Sequence, residues 1–212
     1  MDVVTTEQRS TRRGPWTYER LCAATPVDNV RREIIDGWLY IDGQQVDDPM
    51  ADVASDSSRP LHGDAVREVL VALVEYRHEH DTGGQGYTAP LDVAFGDVVL
   101  QPDVFWLPRP APRRELPIAV PPLLVVEVSS PSTRGHDLVR KRRVYEHAGV
   151  PEYWFVDNDA QRFECYVLEG DAYAPPALVP RGQRVRSAAL PGFEVAVDVV
   201  LGPDDDDPVG NS

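Results

Sequence analysis

Residues 123–130 read LLVVEVSS. A short, almost continuous apolar run of this kind is a strand buried on both faces. Its place is inside a sheet covered above and below. One residue violates the pattern: Glu127 stands in mid-strand, with Leu123 and Val125 on its own face and Val126 and Val128 on the other. A buried carboxylate is costly unless it is paired, protonated or bound to a cation. Glu127 is therefore held by an arginine, or it is a metal ligand or a catalytic acid–base group.

The flanking sequence supplies the cover. Thr17 caps a short helix that runs through Leu21 to Ala24 and stops at Pro26. Residues 32–41, broken by Asp36-Gly37, read as a β-hairpin. A polar loop follows over 43–58. From 61 to 80 the apolar residues Val66, Val69, Leu70, Leu73 and Tyr76 recur at helical spacing. Gly83, Gly84 and Gly86 end that helix, and no Lys-Ser/Thr follows to make a phosphate loop. Strands are expected at 87–95 and 98–107, joined at Gly96-Asp97, with a Pro-rich loop over 108–122. After the Glu127 strand, Pro131 with Ser132 and Thr133 opens a turn, and a basic helix covers 136–148 up to Gly149. EYWFVD at 152–157, RFECYVL at 162–168 and a final strand or two complete the set. The order predicts an α/β architecture of the α+β kind: a central mixed sheet flanked by helices, with the hairpin as an N-terminal extension. The expected organisation is a polar tail at 1–14, one domain at 15–202 and an acidic tail at 203–212.

Charge narrows the function classes. The chain has 212 residues and a net charge of -14, of which Asp204, Asp205, Asp206 and Asp207 carry four. This balance argues against a simple electrostatic DNA-binding module, which usually carries a basic face, and its plain reading is solubility. Any grip on nucleic acid comes from a local basic patch or a metal. No run approaches the roughly 20 apolar residues of a membrane span, and the first residues carry charge where a signal peptide would be apolar. The expected location is cytoplasmic, with no membrane partner. Cys22 and Cys165 are isolated, outside any zinc spacing, and are expected as reduced thiols.

Of the 21 basic residues, Lys141 is the only lysine. Where a generic cation suffices this chain uses arginine, so a retained lysine suggests a need for a compact ammonium. Lys141 lies four residues after Asp137, on one face of the helix after the Glu127 strand. The plain reading is an exposed i,i+4 ion pair worth a few tenths of a kcal/mol. The sharper one packs the helix back on the sheet, so that the ammonium reaches Glu127. Asp103, 24 residues before Glu127 and across a single loop, is either a strand-edge residue or a second carboxylate on a neighbouring strand. Two such acids make a hard-oxygen site for Mg²⁺ or Mn²⁺, and a lysine beside them completes what metal-assisted phosphodiester hydrolysis needs.

Pro102-Asp103 followed by Glu127-Val128-Ser129 resembles the signature of the PD-(D/E)XK nuclease superfamily. More narrowly, REIIDGWL at 32–39, QPDVFWLP at 101–108, LLVVEVSSPST at 123–133, the segment 137–157 and LPGFEV at 190–195 resemble the Uma-type restriction endonucleases. The likeness covers roughly 17–201. It implies a restriction-endonuclease-like fold in which Asp103, Glu127 and the backbone carbonyl of Val128 hold Mg²⁺ (or Mn²⁺). Ser129 stands where the superfamily often has lysine, and the resemblance supplies that lysine from the next helix as Lys141. Glu33 matches an acidic position of the group, as a supporting residue or additional ligand. Arg32 and Trp38 depart from the group, which often has a tyrosine and an acid there.

Other residues have two readings each. His62, at the start of the long helix, is a cap or surface residue, or an acid–base group. Arg134, Arg140, Arg142 and Arg143 are the solvated side of their helix, or they contact phosphates. Tyr145, Tyr153 and Trp154 read as packing aromatics. The expectation is a Mg²⁺-dependent endonuclease acting on DNA as a homodimer. Its rivals are a metal hydrolase with another substrate and a catalytically weak or inactive nuclease-fold protein serving as an oligomeric interaction or regulatory module.

Overall fold

A computed structural model describes residues 16–26, 28, 30–53, 60–80, 82–130 and 133–203. The expected tail at 1–14, residues 204–212 of the acidic tail, part of the 43–58 loop and the Pro131-Ser132 half of the expected turn lie outside them.

Helix α1 (Tyr18–Ala24) begins at Thr17, whose hydroxyl accepts the Arg20 N–H at 3.3 Å. Strands β1 (Arg32–Ile35) and β2 (Trp38–Ile41) form the hairpin, and β3 (Gln44–Val46) extends it. Asp36 and Gly37 both take positive φ, 52° and 76°, the turn geometry that matches strand twist. Helix α2 (Pro60–His80) buries His62, Ala65, Val69, Leu73 and Tyr76 along one stripe.

The next two expected strands are each cut in half. They become β4 (Gln85–Thr88), β5 (Val93–Phe95), β6 (Val98–Leu100) and β7 (Val104–Leu107). Pro90 and Pro102 lie in the two gaps, and neither can donate to a ladder. The single ribbon therefore changes sheets. Its tip, β5–β6, joins β1 in a five-stranded sheet ordered β3-β2-β1-β6-β5. Its base, β4–β7, joins the larger sheet. At the switch the Ala89 N–H still reaches the Asp103 carbonyl at 3.3 Å.

Strand β8 (Leu124–Val128) is buried at every position and lies between antiparallel β7 and parallel β9 (Glu152–Asp157). The remaining strands are β10 (Arg162–Glu169), β11 (Ala172–Tyr173), β12 (Ala177–Pro180), β13 (Arg184–Arg186) and β14 (Glu194–Ala196). The large sheet runs β11-β10-β9-β8-β7-β4, with β12 also on β10. It is a mixed sheet, as the alternation of motifs requires, but the hairpin belongs to a second sheet rather than extending the first.

Both faces of the large sheet are covered. Val126 and Val128 pack with Val69 and Leu73 of α2 and with Trp106, Trp154 and Phe193. Val125 packs on the opposite side with Phe105, Tyr145, Tyr153 and Phe155. Leu123 precedes the strand and joins the α2 side, so it does not share a face with Glu127. Gly84 sits where a Cβ would come within 2.6 Å of the Trp106 ring and 2.7 Å of the Leu107 carbonyl. Gly84→Ala should cost about 1–3 kcal/mol by overpacking. A urea midpoint equal to wild type would refute that close approach.

The expected basic helix is not uniform. His136–Lys141 is a π-helical turn, closed by the Arg142 N–H on the Asp137 carbonyl, and α3 (Arg142–His147) continues from it. Such turns are rare and frequently sit at functional sites. Here the widened turn buries His136, Asp137 and Lys141 together. Gly149, with φ 72°, ends the segment as expected. Helix α4 (Val197–Leu201) closes the described chain. No helix among the described residues is long and apolar enough to cross a membrane. Cys22 is exposed and Cys165 buried, both free.

Candidate active site

Lys141 is fully enclosed, at 1% side-chain exposure. Its Nζ lies 2.9 Å from Glu33 Oε1, 3.1 Å from Glu127 Oε1 and 3.3 Å from Asp137 Oδ1. The Asp137–Lys141 pair is therefore a buried one, and the exposed-pair reading is set aside. Three elements build this cluster: β1 brings Glu33, β8 brings Glu127, and the π-helical turn brings Asp137 and Lys141. Glu33 is saturated. Its Oε1 also accepts the Gln101 N–H at 3.0 Å, and its Oε2 pairs with His136 Nε2 at 2.9 Å. Glu127 is not saturated. Its Oε1 accepts the Tyr145 hydroxyl at 2.6 Å as well as the ammonium. Its Oε2 is buried without a hydrogen-bond partner among the described residues.

Asp103 lies next door, in the gap between β6 and β7. Its Oδ2 accepts the Val128 N–H at 2.8 Å, which ties it to the end of the Glu127 strand. Its Oδ1 accepts from the Arg31 guanidinium and lies 3.5 Å from His62 Nε2. His62 is thus buried beside Asp103 and does not lie on the surface. A cavity of about 590 Å³ opens here, with Arg31, His62, Gln101 and Asp103 in its walls. The four arginines near Lys141 do not line it. Arg134 pairs with Asp157 at 2.7 Å, and Arg140 and Arg142 stack on Tyr40 and Tyr166.

Sequence reasoning missed Arg31, His136 and Tyr145. Tyr145 is four residues after Lys141, so its spacing alone places it on the same face. By pattern it reads as a packing aromatic. Arg31 and His136 carry no such local signal. Their partners, Asp103 and Glu33, are 72 and 103 residues away.

Charge in the cluster is unevenly shared. Burial by itself would raise the Glu33 pKa, but Lys141, His136 and Arg31 overcome it and hold Glu33 at about 2. Asp103 is likewise held far below the usual carboxylate range: Arg31, His62 and Lys141 outweigh its burial. Burial pushes Glu127 well up, and the neighbouring Asp103 and Asp137 add to that against the opposing Lys141. Burial would lower Lys141, yet Glu127, Glu33 and Asp137 raise it, so it stays an ammonium.

Glu33 has a depressed folded pKa, so its stabilisation is present above its ordinary pKa of 4.5 and is lost as pH falls toward 2. The full span corresponds to roughly 3 kcal/mol. Glu33→Gln should be less stable than wild type at pH 6, with the gap closing between pH 4.5 and 2. Urea titrations at both ends check this, and a gap that stays constant would contradict the assignment.

Among the described residues, no group of three or more His, Cys, Asp or Glu side chains is arranged to hold a metal. A Mg²⁺ ion needs less, since it keeps several waters and takes only one or two carboxylates from the protein. Glu127 Oε2, buried and without a hydrogen-bond partner among the described residues, and Asp103 Oδ1, which the Arg31 guanidinium meets, fit that demand.

Residues 16–198 match the model of the Uma2 family, described as "Putative restriction endonuclease". No curated protein matches the chain. One similar solved structure is a crystal structure described as "a putative nuclease belonging to DUF820" from Anabaena variabilis. It is 15% identical, with 88% of this chain and 98% of that one covered and a TM-score of 0.65. At that identity the likeness speaks for the fold.

Proposed function

The chain belongs to the Uma2 family, and from that premise we propose that it is a divalent-metal-dependent endonuclease that hydrolyses DNA phosphodiester bonds. The observation that carries this reading is the buried Oε2 of Glu127, without a hydrogen-bond partner among the described residues, beside Asp103. Asp103, Glu127 and the carbonyl of Val128 would hold Mg²⁺ or Mn²⁺. When bound, that ion polarises a phosphoryl oxygen and lowers the pKa of its water.

The protein's own groups divide the remaining work. Tyr145 occupies one oxygen of Glu127, which leaves the other for a cation. Lys141 is held protonated by three acids, so it acts as a fixed positive charge and hydrogen-bond donor, not as a base. It orients the attacking water and offsets charge that develops on the phosphate. Glu33, saturated by Lys141, His136 and the Gln101 N–H, is a positioning residue in this scheme and not a ligand. A homodimer, with one site for each strand, is part of the proposal, and its setting is the cytoplasm.

The net charge of -14 favours a second reading, an interaction module built on a nuclease fold. Incubation of the protein with supercoiled plasmid decides between them. Nicking in Mg²⁺ or Mn²⁺ that EDTA abolishes supports the nuclease. Calorimetric metal binding with intact plasmid supports the module.

A further inference from the structure

Arg31 stands in an unusual position for a cleft arginine. Its side chain is 13% exposed, in the wall of the 590 Å³ cavity, and its guanidinium sits on the same Asp103 oxygen that would meet a cation. His62 lines the same cavity, with its Nε2 3.5 Å from that oxygen. A guanidinium and a divalent cation cannot both neutralise Oδ1 at close range. The cavity wall also carries Asp52, so an anion entering it needs a cationic group of that wall to receive it.

We propose that Arg31 exchanges partners: it is the counter-ion of Asp103 in the metal-free protein and the phosphate-binding residue of the cleft once a divalent cation takes Asp103. The inference rests on the nuclease reading above and names the group that receives the phosphodiester in that site. The guanidinium fork suits two non-bridging phosphate oxygens, a match that ammonium does not offer. His62 stays on the cavity wall beside it. Cation and phosphodiester then bind with positive coupling, because each removes a cost from the other.

The test uses the full chain, a fluorescent DNA duplex and Ca²⁺, which takes the same oxygen ligands as Mg²⁺. Wild type should bind the duplex about tenfold more tightly with Ca²⁺ than with EDTA, one charge-assisted contact's worth. Arg31→Gln should bind Ca²⁺ or Mn²⁺ about tenfold more tightly by calorimetry, since its competitor is gone. The same variant should bind the duplex about tenfold more weakly in Ca²⁺ and lose most of the coupling. Arg31→Lys keeps the charge should the glutamine variant fail to fold, and it should show the duplex loss without the gain in cation affinity. Unchanged cation affinity in Arg31→Gln would overturn the counter-ion role. Tighter cation binding with wild-type duplex affinity would overturn the phosphate role. Failure of the nuclease reading looks different: wild type itself would not bind the duplex in either condition, which removes Arg31's second partner while the cation titration still decides the first.

Discussion

Lys141→Met is expected to lower the stability of the folded chain by about 3–5 kcal/mol, the usual result of stripping one partner from a buried ionic cluster. The size follows from who is left behind. Glu33, Glu127 and Asp137 all lie within 3.3 Å of the ammonium, and Lys141 itself is 1% exposed. Without it, carboxylates contributed by three separate elements face one another with no ammonium between them. Methionine fills the volume but answers none of the charge. A loss of that size is a large part of an ordinary domain's total stability of roughly 5–15 kcal/mol. Urea unfolding followed by circular dichroism measures it. A midpoint within 1 kcal/mol of wild type on conversion, a margin typical of exposed pairs, would show that the ammonium does not neutralise this cluster. The practical corollary is that lost nicking in a Lys141 variant says nothing of catalysis until its melt is known.

Asp103→Asn should leave the chain folded and cut nicking on the order of a thousandfold, about 4 kcal/mol of barrier. Asparagine matches the size of aspartate and can still accept the Val128 N–H, so the link from Asp103 to the end of β8 survives. What disappears is the anionic oxygen that faces Arg31, His62 and the cleft. Calorimetry should show cation binding lost in parallel. Wild-type nicking by the asparagine variant would remove Asp103 from the proposed site, whatever the fate of the nuclease reading.

Much of the framework is legible in the sequence because its signals are local. The Thr17 cap, the Asp36-Gly37 turn, the stripe of α2 and the buried run of β8 each depend on neighbours within a few residues. The sheet switch is less so. Pro90 and Pro102 mark the breaks, but only the three-dimensional pairing shows that the ribbon's two halves serve different sheets. The π-helical turn is not legible at all, since HDLVRK has no sequence signature that separates it from an α-turn. The site divides the same way. Glu127 is conspicuous as a charge in an apolar strand, and Lys141 as the chain's only lysine. Glu33 is marked only by family likeness. Arg31 and His136 are ordinary residues by pattern, and long-range packing alone gives them partners.

The ribbon that changes sheets has a mechanical meaning. It leaves the large sheet at Thr88 and returns at Val104, and Asp103 sits at its fulcrum. The walls of the adjoining cleft are divided accordingly. Arg31 and Ile41 come from the small-sheet side, His62 and Val66 from the helix packed on the large sheet. Anything seated there touches both halves at once, so the cleft is a bridge between the two sheets.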